Sequence, residues 1–295
     1  MRYTIENEFL SVTADTHGAE LVSVVDKATG AEMIWGADKA VWGRHAPILF
    51  PYCGKLRDGH YELDGTTYEG SAHGFARDLE HEFVSAENGV MRFVLRSGEE
   101  TRAKLPREFE LESTFTLTGR TLRQTLTVIN KDEKELRFGI GYHPAFALPF
   151  DDKHTTEDYE LRFDAPQTPV VIETSLTTGL VTGETRVLME NSDVIPMDDR
   201  MFDNDSICMS KLNAKTLSIV EKDTGRKITV GVEGYPYTLI WSAPGNPELH
   251  FVCIEPWHSL PDTAQTEGHW NEKNCAAVLA QGESWHTDLD MTFER

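Results

Sequence analysis

Apolar and polar residues alternate with a period of two over long stretches of the chain. From Phe109 to Leu117, Phe109, Leu111, Phe115 and Leu117 fall on one face and Glu110, Glu112, Thr114 and Thr116 on the other. Leu122, Leu126 and Val128 repeat the pattern against Arg123, Thr125 and Thr127. This spacing predicts strands with one buried and one wet face. Between such runs stand residues that tolerate positive φ and so predict hairpin turns. Asp64-Gly65 joins His60–Leu63 to Thr66–Glu69, and Asn88-Gly89 joins Glu82–Val84 to Met91–Leu95. Gly119-Arg120 joins Leu111–Leu117 to Leu122–Ile129, and Asp223-Thr224-Gly225 joins Thr216–Val220 to Lys227–Val230.

Helical periodicity is nearly absent; the best candidate is a short helix around Ser192 to Arg200. No linker rich in Pro, Gly or Ser divides the chain. The simplest reading is an all-β protein in which residues 1–295 form a single large antiparallel β-sandwich domain. Two irregular stretches, Pro144 to Thr156 and Pro256 to Asn274, are expected to be binding loops.

Composition narrows the function classes. An apolar content of 39% with 26% charged residues suits a globular protein, and no apolar run reaches the length of a membrane span. A net charge of −21 repels phosphate backbones and anionic lipid surfaces, so neither nucleic acid nor membrane is expected as a partner. Small anions stay open, because nearby cations set the field at a site while distant charges are screened. The opening Met1-Arg2-Tyr3-Thr4-Ile5-Glu6 has no apolar signal region, which makes a cytoplasmic location the expectation. Cys53, Cys208, Cys253 and Cys275 form no C-x-x-C pair and read as reduced, mostly buried thiols.

Near the C-terminal end the apolar run Leu249–Ile254 leads into Glu255-Pro256-Trp257-His258, which puts a carboxyl group where a strand should stop. Between Ile254 and Trp257 it loses hydration, so its pKa should rise toward the range useful for moving protons near neutrality. Two other motifs place an ionisable group among small or aromatic residues: Ser71-Ala72-His73-Gly74-Phe75-Ala76-Arg77 and Gly141-Tyr142-His143-Pro144-Ala145-Phe146. A cleft that takes one group from each of several strands would need this spread, although structural histidines would give it too. A metal cluster of His73, His143, His258 and Glu255 lacks the close His spacing that metal-binding strands use, so no metal is expected. A glycosidase pair of Glu255 and Asp205 would leave His143 without a role.

These three motifs, in this order, resemble the aldose 1-epimerase (galactose mutarotase-like) superfamily, whose members are β-sandwiches of the supersandwich type. The likeness extends through Gly18–Ser23 with Trp35, and through Leu49-Phe50-Pro51 leading to Gly54-Lys55-Leu56-Arg57. The run His73-Gly74-Phe75-Ala76-Arg77 looks most like the LacX-type and hexose-6-phosphate mutarotase-like branches. What the resemblance implies is a cofactor-free isomerase acting on a sugar or sugar phosphate, as a monomer or homodimer. Glu255 matches the family's base at the anomeric hydroxyl and His143 the acid at the ring oxygen, with His73 steadying the substrate. Trp257 and Tyr142 would offer aromatic faces to the sugar. Asp205, with Asp203 as the alternative, matches a carboxylate that holds hydroxyls; Arg57, with Lys55 as the alternative, matches a basic residue that reaches the substrate. Arg77 would suit a sugar phosphate, or else pair with Asp78 or Glu80 on the surface. A non-catalytic carbohydrate-binding protein on the same fold is the competing reading.

Overall fold

Each of the four turn signals closes an antiparallel pair in the computed structural model, which describes residues 1–246 and 248–295. At the first, Asp64 and Gly65 have φ of 54° and 75°, the left-handed pair that a tight two-residue hairpin demands. Two large antiparallel sheets carry the architecture. The nine-stranded one runs in spatial order Ser192–Pro196, Tyr159–Gln167, Thr216–Glu221, Lys227–Gly231, Ser284–Glu294, Thr121–Asn130, Phe109–Thr118, Val90–Arg96 and Glu82–Glu87.

The eight-stranded sheet carries the site, and its strands are numbered here in chain order. They are β1 (Ile48–Leu49), β2 (Gly141–Tyr142), β3 (Ala145–Ala147), β4 (Val170–Thr174), β5 (Val181–Val187), β6 (Ile207–Ser210), β7 (Tyr237–Trp241) and β8 (Phe251–Trp257). Their spatial order is β5-β4-β6-β7-β8-β2-β1, and β3 also pairs with β8.

Alternation along β8 decides which face does what. Val252 and Ile254 join the main core with Phe109, Leu111, Leu126 and Val128 of the opposite sheet. Phe251 and Cys253 pack instead in a separate cluster with Trp35, Trp42 and Trp241, and Trp257 in another with Cys53 and Cys208. Residues 251, 253, 255 and 257 therefore share the face turned away from the core. Tyr142 ties the sheets together: its hydroxyl donates to the carbonyls of Gln124 (3.0 Å) and Thr287 (2.7 Å).

Three expectations are corrected. Ser192–Pro196 is an edge strand paired with Tyr159–Gln167, because Val194 and Ile195 are β-branched and Pro196 forbids a continuing helix. Glu255 lies inside β8, paired opposite Leu239, so the strand runs on through Trp257. Pro144–Thr156 is not a loop over the cavity: Ala145–Ala147 enters the sheet as β3, and Asp151 is held by His154 and Arg226, each at 2.6 Å. Among the described residues no helix is long and apolar enough to cross a membrane. All four cysteines are free, and Cys53, Cys208 and Cys253 are buried.

Candidate active site

On the outward face of the eight-stranded sheet a cavity of about 240 Å³ is lined by His73, Arg77, His143, Asp205, Glu255 and Trp257. That space holds about eight waters' worth of volume, which suits a small polar ligand. Glu255 is delivered by β8, and His143 by the residue after β2, the neighbour of β8 in the sheet. Pairing of Gly141 with Trp257 brings the two motifs side by side although 112 positions separate His143 from Glu255 (255 − 143). Gly141 permits this approach, since a Cβ there would stand 2.8 Å from Trp257 Cδ1 and 3.0 Å from Cys53 Sγ.

His143 Nε2 lies 3.2 Å from Glu255 Oε2, with the two side chains 8% and 2% exposed. The approach is too oblique for a hydrogen bond: Glu255 Oε2 has no donor, and His143 Nδ1 has no partner either. Burial drives Glu255 well above the ordinary carboxyl range; the nearby Trp257 indole N–H opposes the rise and the negative charge of Asp205 adds to it. Burial also pushes His143 down to about 3, helped by the positive charges of Arg77 and Arg44. The surroundings thus favour the neutral form of each group, carboxyl and imidazole.

Aromatic rings wall in the pair. Trp42 stacks on His143 with centroids 5.0 Å apart, while Trp241 and His73 meet its ring edge-on at 5.6 Å each. Trp241 also fixes Asp205, donating from Nε1 to Oδ1 at 2.8 Å. His73 accepts at Nδ1 from the Gly54 amide at 3.1 Å, so its proton sits on Nε2 and the ring is a donor. Burial, with the nearby Arg77 charge adding to it, holds its pKa well below the ordinary histidine value. Its backbone is left-handed at φ 68°. Gly74, φ 72°, makes that turn possible, because a Cβ there would stand 2.1 Å from the Phe50 carbonyl oxygen.

The structure gathers His73, Arg77, His143, Asp205, Glu255 and Trp257 at one cavity. Arg57 is not there: its guanidinium donates to the Thr266 carbonyl and pairs with Asp58 at 3.4 Å, while Lys55 lines the cavity in its place. Asp203 is likewise elsewhere, paired with Arg200 at 3.0 Å. Tyr142 faces the core rather than the cavity, and His258 bonds Thr287 Oγ1 at 2.9 Å. The surface pair foreseen for Arg77 does not form: Asp78 binds Arg44 and Glu80 binds His17, which leaves Arg77 Nε buried without a partner. Its one bond is from Nη2 to the Ala72 carbonyl at 2.7 Å.

Sequence reasoning missed Trp42, Trp241, Cys208, Thr174 at the end of β4 and Leu176 in the turn that follows, all of which line the cavity. Trp241 ends the apolar run Tyr237–Trp241, which was a readable signal; Trp42, in an irregular segment, carried none.

Comparison with known proteins shows the family and the fold. The family described as Aldose 1-epimerase matches residues 1–292. The chain is similar to Protein LacX (chromosomal) of Lactococcus lactis subsp. lactis, 30% identical over 276 residues, 91% of each chain. Among solved structures it is similar to a galactose mutarotase related enzyme from Lactobacillus acidophilus, 30% identical, with a TM-score of 0.94 over 100% of this chain and 98% of that one. A galactose mutarotase-like protein from Lactobacillus casei, also 30% identical, has a TM-score of 0.91 with both chains covered at 100%.

Proposed function

From the premise that the chain belongs to the aldose 1-epimerase family, we propose that it is a mutarotase interconverting the α and β anomers of a hexose or hexose phosphate. The observation that carries this reading is the Glu255 Oε2 atom, buried at the cavity wall beside His143 Nε2 and without a donor. A buried acceptor left open calls for a partner from outside the chain, and a sugar hydroxyl is one. No hydrolytic pair of carboxylates is needed, and His143 has a role.

Burial favours the neutral carboxyl and the neutral imidazole. Hydroxyls of a bound sugar supply the hydrogen bonds that stabilise the charged arrangement, carboxylate and imidazolium, reached by moving one proton from Glu255 to His143. Glu255 then takes the proton of the anomeric O1–H as His143 gives one to the ring oxygen O5. The C1–O5 bond breaks, leaving an open-chain aldehyde. Rotation about C1–C2 presents the other carbonyl face, and closure with the roles reversed returns both protons. Asp205 and His73 Nε2–H hold hydroxyls, Trp257 lies against the ring, and Lys55 with Arg77 accommodates a phosphate at the cavity edge.

Anomeric NMR or polarimetry on freshly dissolved α-glucose, α-galactose and their 6-phosphates tests the proposal. Faster equilibration with the wild type and not with Glu255→Gln supports it. No acceleration of any sugar would leave a carbohydrate-binding protein.

A further inference from the structure

Cys253 stands two residues before Glu255 on β8, on the same outward face. A ligand atom from each of His143, Cys253 and Glu255 lies within 4.8 Å of the other two. We propose that these three side chains form a binding site for a borderline-soft divalent cation, Zn²⁺ being the type case, and that its occupation blocks the cavity to sugar.

The donor set is the first argument: one imidazole, one carboxylate and one thiolate match what zinc takes at open three-ligand sites, with the fourth position left to the cavity. The unmet valence is the second. Glu255 is 1% exposed, yet its Oε2 has no hydrogen-bond partner among the described residues, so it has a lone pair that no protein group uses. Metal–ligand distances of about 2.0–2.3 Å put tetrahedral ligands roughly 3.3–3.8 Å apart, against a spacing of no more than 4.8 Å between these atoms. Binding releases the carboxyl and thiol protons to solvent.

A second cluster, Asp151, His154 and Glu221, has similar spacing. It already holds a cation: Arg226 Nη2 sits 2.6 Å from each of the two carboxylates. The site beside the cavity has no such occupant.

Metal capture rests on the geometry alone; inhibition rests on the mutarotase reading. The experiment titrates Co²⁺, as a spectroscopic substitute for Zn²⁺, into wild type, Cys253→Ala, Cys253→Ser and His154→Ala, and measures mutarotation with added Zn²⁺. The wild type and His154→Ala should show tetrahedral cobalt absorption with a thiolate-to-cobalt charge-transfer band, and both cysteine variants should lack that band. Zn²⁺ should inhibit wild type competitively with sugar. The cysteine variants should keep their basal rate and lose sensitivity by about 10- to 100-fold or more, since outer partners of metal ligands alone cost that much. No charge-transfer band, a band surviving in the cysteine variants, or binding lost only in His154→Ala would each overturn the site. A wild-type band from a protein that accelerates no sugar would uphold the metal site while the catalytic reading fails.

Discussion

His143 Nε2 faces Glu255 Oε2 at 3.2 Å, and the environment shifts the two groups in opposite directions, the carboxyl upward and the imidazole down to about 3. Two groups so arranged bind one proton over a wide pH range and titrate as a unit. In the proposed reaction they act as a single device for moving a proton.

Removing either member should abolish the device. Glu255→Gln and His143→Asn should each lower kcat by about 10²- to 10⁴-fold, the usual worth of positioned acid–base catalysis. Both should leave KM for the sugar within a few fold, as measured by initial-rate polarimetry.

The pH profile follows from the same shifts. The active form holds one proton on the pair, and it is lost when pH rises through the elevated Glu255 pKa. On the acid side a second proton enters only near the His143 value of about 3. A plot of kcat/KM against pH should therefore fall on the alkaline side and show no acid limb while the protein stays folded. An acid limb near the ordinary histidine value would contradict the assignment of His143 as neutral.

Stability should fall in acid because histidines are buried uncharged. His81, 2% exposed, has its Nε2–H on the Ala76 carbonyl, and burial lowers it from 6.5 to about 4. As pH falls through 6.5 the unfolded chain takes up the proton first, so stability is lost down to about 4. The loss at this residue is about 3 kcal/mol. His258, lowered to about 4 by burial, acts in the same direction. Denaturant melts at pH 7 and 4.5 should show the decline, and His81→Gln should reduce its slope.

Arg77 separates free from phosphorylated sugars. Its Nε has no partner, and burial together with Arg44 weakens its hold on its own proton, which an anionic ligand would reverse. Arg77→Ala should impair kcat/KM for a hexose 6-phosphate by about tenfold or more while sparing the free hexose, since a charge-assisted bidentate contact is worth at least that. Equal effects on both would remove the phosphate from the proposal.

Gly74→Ala should damage the site from behind. The new Cβ would meet the Phe50 carbonyl at 2.1 Å in a left-handed backbone, and His73, next in the chain, would be displaced. A loss of about 2 kcal/mol or more in a urea melt, together with weakened sugar binding, is the expected outcome.

Local pattern was enough for the strands and turns. Asp64-Gly65 and Asn88-Gly89 admit few backbone conformations, and strict alternation in Phe109–Leu117 admits one buried face. Ser192–Arg200 misled because a short polar–apolar segment fits either period; its edge pairing with Tyr159–Gln167 decided for the strand. Glu255, His143 and His73 could be picked out because an ionisable group amid small and aromatic residues is costly to bury without use.

What the sequence alone determined is thus the all-β class, the hairpins and the ionisable groups that come to line one cavity. Tertiary structure decided which cations and aromatics surround them. Lys55 and Arg57 are two residues apart and chemically alike, yet a single turn of chain points one at the cavity and commits the other to the Thr266 carbonyl. Trp42 reaches His143 across about a hundred positions, a contact that no local pattern encodes. Side-chain direction at the end of a strand depends on long-range pairing, and long-range pairing is a property of the whole folded chain.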